Sequence, residues 1–217
     1  KVFGKSTPGF SNTTYEQKYV ETLIAQKPAF SVPPGVYEDS QSVVLTTATA
    51  GYRVFYTLDG SDPREATTYV YSGNPVSVTA AAPATSGLAW IRTNPIEITN
   101  NVPAADWLAP VGTVAKAVVL RAIAVSADSK YCSPETRGTY FIGSQFTNRA
   151  LPIMSLITDA DNLFGFTSGI YVPGKCYADS PEGYGANKWG KPYANYHQES
   201  VAAEWERPVQ LELFETG

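Results

Sequence analysis

The chain has 217 residues, of which 43% are hydrophobic and 17% charged, so it can form a packed core and lacks the composition of a disordered protein. Its net charge of -4 and its scattered lysines and arginines exclude the basic surface that binds nucleic acid. It has no apolar run of about 18 residues, so no membrane helix is predicted.

The composition also favours β-structure. The chain has 14 tyrosines but one methionine and one histidine, and it is rich in Thr, Ser, Gly and Pro. These residues are typical of strands joined by ordered loops, so we expect a mainly β protein. The same composition is compatible with an exported protein, located outside the cell or at its surface.

Residues 1–27 are predicted to form a linker, because they contain the turn-forming run "GKSTPGFSN". Thr13 and Glu16 then fit a capping box, in which two side chains satisfy backbone N–H groups at the start of a helix. A short helix and an extended connection are both compatible with this segment.

Residues 28–142 are predicted to form an immunoglobulin-like β-sandwich, because short β-branched and aromatic stretches alternate with turn residues. The clearest strand is "KAVVLRAIAV", residues 116–125. Prolines interrupt the pattern between residues 80 and 113, where Trp90 and Trp107 are the predicted anchors of a long loop. The other predicted strands are Ala29–Val32, Val43–Thr47, Arg53–Leu58, Val76–Thr79 and Gly138–Ile142.

Residues 150–217 are predicted to form a partial, β-rich α+β segment. "LPIMSLIT" is a nearly continuous apolar run, typical of a strand buried on both faces. Asp159 fits the start of a short helix, and "GIYVPG" is a second predicted strand. "RPVQLELFETG" alternates as a strand does, and since no later segment can pair with it, we expect the segment to be truncated at Gly217.

The segment "VFYTLDGSDP" brings Asp59 and Asp62 next to a glycine, a serine and a proline. Two carboxyl groups can catalyse proton transfer when their pKa values are pushed apart, and a calcium loop needs further oxygens at regular spacing. Asp and Ser at such positions more often bond nearby backbone N–H groups. We therefore predict a turn at the end of a strand.

Two further patterns resemble catalytic groups. His197 would have to serve any Ser-His-Asp triad, but no nucleophile elbow is present, so we interpret it as a loop residue. Glu204 and Glu206 flank Trp205 as a glycosidase pair could. The simpler interpretation is that Trp205 packs in the core while Arg207 pairs with an acid, so no catalytic residue is predicted.

A loop dense in Gly, Tyr and Asn contains the candidate ligand-binding residues. Tyr184, Trp189, Tyr193 and Tyr196 could stack on a sugar ring. The alternative is that these rings, with Tyr177, only anchor a long loop that has little secondary structure.

Cys132 and Cys176 are the two cysteines, too few for a structural zinc site, so no metal is predicted. They form either one disulfide or two free thiols. A disulfide would tie the sandwich to the segment that follows it, and export would favour its formation.

Two longer motifs resemble known families. "FSVPPGVYEDSQSVVLTT" followed by "YTLDGSDP" resembles the chitobiase/β-hexosaminidase C-terminal-type module, an immunoglobulin-like accessory sandwich of exported bacterial proteins. Asn74 and the run "ADSKYCS" depart from its pattern without threatening the fold. "LPIMSLITDADNLFGFTSGIYVPG" followed by "EWERPVQLELFETG" resembles the opening of the CotH-type (spore-coat) kinase family, and "TPGFSN" is similar to the end of a lamin-tail-type domain.

These resemblances imply a non-catalytic accessory or interaction region of an exported bacterial CotH-like protein, whose parent would be an atypical kinase. The family's catalytic and nucleotide-binding residues lie beyond the similar segment, so the resemblance transfers no catalytic residue and no cofactor. Expected partners are the rest of the parent chain and a glycan or cell-surface component. The alternative is a stand-alone carbohydrate-binding sandwich that uses its aromatic loops; a small hydrolase is a third class.

Overall fold

A computed structural model of the chain describes residues 25–65, 69–91, 98–99, 102–103, 111–179, 195 and 206–216. The fold is mainly β, as the sequence predicts. The predicted capping box at Thr13 and Glu16 lies outside the described residues. The strands are β1 (Ala29–Phe30), β2 (Gly35–Tyr37), β3 (Gln41–Val43), β4 (Leu45–Thr46), β5 (Tyr52–Thr57), β6 (Tyr69–Val70), β7 (Val76–Val78), β8 (Ala81–Ala84), β9 (Ile98–Thr99), β10 (Val102–Pro103), β11 (Val114–Lys116), β12 (Val118–Ser126), β13 (Thr136–Ile142), β14 (Ile153–Ile157) and β15 (Gln210–Phe214).

A five-stranded sheet with the order β2-β13-β12-β5-β6 forms one layer of the sandwich. Its central strand, β12, has nine residues and pairs antiparallel with both β13 and β5. The short β2 runs parallel to β13, whereas β6 closes the other edge antiparallel to β5. β12 arises from the β-branched run that the sequence analysis identifies, because β-branched and other apolar residues fit a buried strand between two neighbours.

The second layer consists of β1 paired with β4 and β3 paired with β7, all antiparallel. The hydrophobic core lies between the layers, where side chains from the two inner faces interdigitate. The second layer contributes the buried residues Val43, Leu45, Val76 and Val78, and the five-stranded sheet contributes Val54, Val118, Leu120, Ala122, Tyr140 and Ile142.

The described part of the proline-rich stretch between β7 and β12 contains strands that the sequence analysis did not predict. β8 pairs antiparallel with β11, and β9 pairs with β10. Leu88–Trp90 form a 3-10 turn in which Trp90 is 57% exposed, so Trp90 is not the buried anchor that the sequence suggests. Trp107 lies outside the described residues.

After the sandwich come the short helices α1 (Ser144–Thr147), α2 (Ala160–Phe164) and α3 (Gly174–Ala178), with β14 paired antiparallel to β15. Asp159 is the residue before α2, as predicted, although its side chain makes no capping bond. Among the described residues, no helix is long and apolar enough to cross a membrane.

Two predictions for this segment are wrong, and the argument for a third fails. β14 is not buried on both faces, because Met154 and Leu156 are 63% and 59% exposed. Residues 169–174 form a turn that leads into α3, not a strand, because the chain folds back there to bond with α2. The last strand does have a partner, β14, so the argument for truncation from an unpaired strand fails.

Candidate functional site

The segment after β5 is a turn held by its own acids. The Asp59 carboxylate accepts hydrogen bonds from the backbone N–H and the hydroxyl of Ser61, at 3.0 and 2.6 Å. Asp62 accepts from the backbone N–H of Arg64 at 2.9 Å. These Asx-type bonds confirm the predicted turn.

The electrostatics of this turn argue against a general acid at Asp59 or Asp62. The hydrogen bonds from Ser61 hold the pKa of Asp59 below its ordinary value. Burial would raise the pKa of Asp62, but the bonds and charge of Arg64 outweigh it and lower that pKa as well. Because both shifts go downward, neither carboxyl is kept protonated as a general acid must be.

Arg121 lies at the centre of a buried network next to this turn. It projects from β12 on the face away from the core and is 2% exposed. Its guanidinium binds the Glu135 carboxylate through two hydrogen bonds, of 2.5 and 3.1 Å. Its remaining terminal nitrogen donates to the Gly60 carbonyl at 2.8 Å and to the Asp159 carboxylate at 2.9 Å. One side chain thus joins β12, the turn and the segment that follows the sandwich.

Glu135 is enclosed by positive charge. Its side chain is 5% exposed, and besides Arg121 it lies 3.3 Å from a nitrogen of Arg137 and 3.5 Å from a nitrogen of Arg64. Burial alone would lower the pKa of Arg121, but the bonds and charges of Glu135 and Asp159 outweigh burial and raise it. Arg121 therefore stays charged, and the network is a structural ion cluster, since bidentate arginine–carboxylate pairs fix orientation.

The pair β14–β15 contacts the free edge of β13 through polar side chains. The Glu212 carboxylate accepts from the backbone N–H of Thr139 at 3.0 Å, and the Gln210 amide donates to the Arg137 carbonyl at 3.0 Å. The hydroxyls of Thr139 and Ser155 lie 2.7 Å apart. β2 covers only Tyr140 to Ile142 of this edge, so the side chains of β15 satisfy backbone groups that another strand would otherwise pair.

A second arginine holds the end of β15. Arg149 donates to the carbonyls of Phe214 and Glu215, at 3.2 and 2.6 Å, and to the Phe146 carbonyl at 2.7 Å. The Phe141 ring of β13 packs edge-on against Phe146 and Phe214, with centroids 5.1 and 5.5 Å apart. Aromatic contacts of this geometry add to the stability that burial provides.

The turn before α3 is fixed by Asn195, which is 1% exposed. Its side chain donates to the Phe166 carbonyl at 3.0 Å and accepts from the Cys176 backbone N–H at 3.1 Å. Gly174, with φ of +58°, allows this close packing. Asn195 is thus bonded both to the turn and to α3.

Three tyrosines lie together at the β6 edge. Tyr69 is directly opposite Tyr56 across the β5–β6 pairing, and their ring centroids are 5.4 Å apart. Tyr71, whose backbone N–H donates to the Val54 carbonyl, has its ring 6.5 Å from that of Tyr56. Burial and the two neighbouring phenols raise the pKa of Tyr56. We refer to Tyr56, Tyr69 and Tyr71 as the tyrosine cluster.

The predicted ligand-binding residues Tyr184, Trp189, Tyr193 and Tyr196 lie outside the described residues, so their role stays a prediction. Tyr177, from the same group, is 1% exposed and therefore serves packing.

The other candidate residues have separate outcomes. His197 and Glu204 are outside the described residues. Arg207 donates to the Ser168 carbonyl at 3.0 Å.

Cys132 is exposed and Cys176 half-buried, and both are free thiols, the second of the two states that the sequence allows. In the described part of the chain, no group of His, Cys, Asp and Glu has the arrangement of a metal site.

The sequence analysis did not identify Arg121, Glu212 or Arg149 as residues that join the sandwich to the segment after it. We call this contact region the junction. Arg121 carries a visible signal, since it is the single charge inside the apolar run of β12. A charge in a central strand needs a buried partner, but nothing in the sequence identifies that partner. Glu212 and Arg149 look like ordinary surface charges in the sequence.

Comparison with known families gives one match. Residues 32–103 match the family model of the chitobiase/beta-hexosaminidase C-terminal domain. That domain is a non-catalytic module, and the match supports an accessory module of a carbohydrate-active enzyme. The matched range contains the tyrosine cluster and the turn at Asp59, but it ends before β11. No match supports the resemblance of residues 151–217 to the CotH-type family, and no curated protein or solved structure matches the chain.

Proposed function

We propose that this chain is a non-catalytic accessory region of a carbohydrate-active protein, in which the β-sandwich holds the following segment in a fixed position. The observation that carries this proposal is the Arg121 network, which reaches from the central strand of the sandwich to Asp159, beyond the sandwich. A tether between independent units needs no such buried ion cluster, since flexible linkers are exposed and make few contacts.

Two further contacts support a fixed position. Glu212 bonds the edge of β13, and Arg149 bonds the end of β15 while also holding α1. The Arg149 contact lies at the opposite end of the β14–β15 pair from the Arg121–Asp159 bond, because Asp159 follows the end of β14 that pairs with Gln210, and Glu212 lies at the middle of the pair. A body attached at separated points cannot rotate about one hinge.

The finer part of the proposal concerns the parent protein. Residues 151–217 resemble the opening of CotH-type proteins, so we propose that the fixed segment leads into such a domain in an exported bacterial protein. The composition of the chain and the accessory character of the matched module support export. The alternative, a sandwich that binds carbohydrate by itself, is favoured by the tyrosine cluster.

Residual dipolar couplings of the backbone amides test the fixed position. A single alignment tensor should fit the amides of β5, β12 and β13 together with those of β14 and β15. Arg149→Met should degrade that common fit, because it removes three hydrogen bonds to carbonyls. Lys130→Met is the matched control, since Lys130 is an exposed turn residue, and it should leave the fit unchanged.

If the wild-type chain needs two tensors, the fixed position is refuted. A saturable hydrolysis of an aryl N-acetylhexosaminide by the purified chain would refute the non-catalytic part of the proposal instead.

A further inference from the structure

The tyrosine cluster lies at the β6 edge of the five-stranded sheet, where one of its rings is exposed to solvent. Because Tyr69 pairs with Tyr56, both rings project from the same face of the five-stranded sheet, the face that also carries the core residue Val54. Tyr71 follows Tyr69 by two residues and shares that face. Yet Tyr69 is 58% exposed, because β6 is the sheet edge and the second layer does not cover its ring.

The cluster combines fixed rings with an exposed one. Tyr56 and Tyr71 pack against the hydrophobic core, so their positions are set by the fold. Tyr69 stands beside Tyr56 at 5.4 Å with an angle of 32° between the ring planes, so it is supported along one side while part of its surface faces solvent. If these rings served only to close the core, the fold would not require an exposed third ring at the edge.

The segment that begins at Tyr69 is polar but uncharged. The run from Tyr69 to Ala84, "YVYSGNPVSVTAAAPA", contains no Asp, Glu, Lys or Arg. A turn with hydroxyl and amide groups adjoins the cluster: the Tyr71 hydroxyl donates to the Gly73 carbonyl, and the Asn74 amide donates to the Ser72 hydroxyl. A phosphate-bearing ligand would need cations here, whereas a neutral ligand with an apolar face and hydroxyl groups fits these surroundings.

We propose that the tyrosine cluster is a binding site for a neutral oligosaccharide, with Tyr69 stacking on a pyranose ring and the turn at Ser72 to Asn74 bonding its polar groups. The apolar C–H face of a sugar lies against an aromatic ring, while the polar rim of the ring remains hydrated. The choice of a sugar rests on the proposed function, whereas the location of the site rests on the contacts alone. This site is separate from the loop aromatics that the sequence analysis selected.

Titration of the full chain with an N-acetylglucosamine hexamer, followed by amide and ring NMR signals, tests the proposal. The signals of Tyr69 and of the turn at Ser72 to Asn74 should shift saturably. Tyr69→Ala should weaken binding at least ten-fold, whereas Tyr69→Phe, which keeps the ring, should retain most of the affinity. Tyr131→Ala is the matched control, because Tyr131 is equally exposed, at 60%, in the turn after β12, and it should bind as the wild type does.

Three outcomes would overturn this inference. The first is that neither the N-acetylglucosamine hexamer nor a glucose hexamer gives a saturable shift. The second is equal affinity of Tyr69→Ala and the wild type, and the third is shifts at Tyr69 with a proline-rich peptide only. Proline-rich peptides also use aromatic surfaces, so the last outcome would assign the cluster to a protein partner. None of these outcomes alters the dipolar couplings that test the fixed position, so failure of one proposal is distinguishable from failure of the other.

Discussion

Replacement of Arg121 by methionine should destabilise the chain by about 3 kcal/mol. Removing one member of a buried ion pair commonly costs about 3–5 kcal/mol, because the other charge remains buried. Here Glu135 keeps two guanidinium neighbours, Arg137 and Arg64, which reduces that cost. The Gly60 carbonyl loses a bond worth about 1 kcal/mol, and Asp159, at 57% exposure, adds under about 1 kcal/mol.

Urea unfolding followed by circular dichroism measures this loss. Arg53→Met is the control, because Arg53 is an exposed arginine of the same sheet with one cation–π contact to Phe55 at 5.5 Å. Its loss should be at most about 1 kcal/mol. Arg121→Met combined with Glu135→Leu should recover part of the stability, since an apolar pair can replace a buried ion pair. A loss no larger than that of the control would refute the reasoning about burial.

The remaining predictions concern acid, a glycine and nucleotide. Because the folded-state pKa of Asp59 is lowered, its contribution to stability is complete above about pH 5 and is lost as pH falls through the lowered value. The melting temperature should therefore fall less between pH 5 and pH 2 for Asp59→Asn than for the wild type, and an equal fall in both proteins would contradict this. Gly174→Ala should lower the melting temperature more than Gly73→Ala, because its Cβ would lie 2.0 Å from the Asn195 amide nitrogen, whereas at Gly73 no atom lies within 4 Å. Calorimetry should find no saturable Mg·ATP binding, since the sequence has no Gly-rich phosphate loop; micromolar affinity would show otherwise.

Local patterns predicted the sandwich well. Alternation and turn residues identify the strands that bury the core, because each such strand has one apolar face, as β7 does with its two buried valines. The parallel pairing of β2 with β13 was not predictable, since Gly35 looks like part of a turn and its partner is about 100 residues away. The Asx turn at Asp59 was predictable because its bonds are local.

The junction was not predictable for a different reason. Arg121 and Asp159 are brought together by packing, and no sequence period links them. For β14, a continuous apolar run suggested burial on both sides, yet one face contacts the sandwich through Ser155 while Met154 and Leu156 face outward. Hydrophobicity identifies a strand but does not determine which of its faces is covered.

The pairing of β14 with β15 has a consequence for the order of folding. Ile157 and Gln210 are neighbours across about 50 intervening residues, so closing this loop costs more chain entropy than closing the short hairpin between β12 and β13. A two-stranded pair is also marginal by itself, and therefore gains its stability only against a β13 edge that already exists. The sandwich should thus act as a template on which β15 docks last. By the same argument β15 is the first strand to detach in partial unfolding, which would leave the edge of β13 at Thr139 open to another chain.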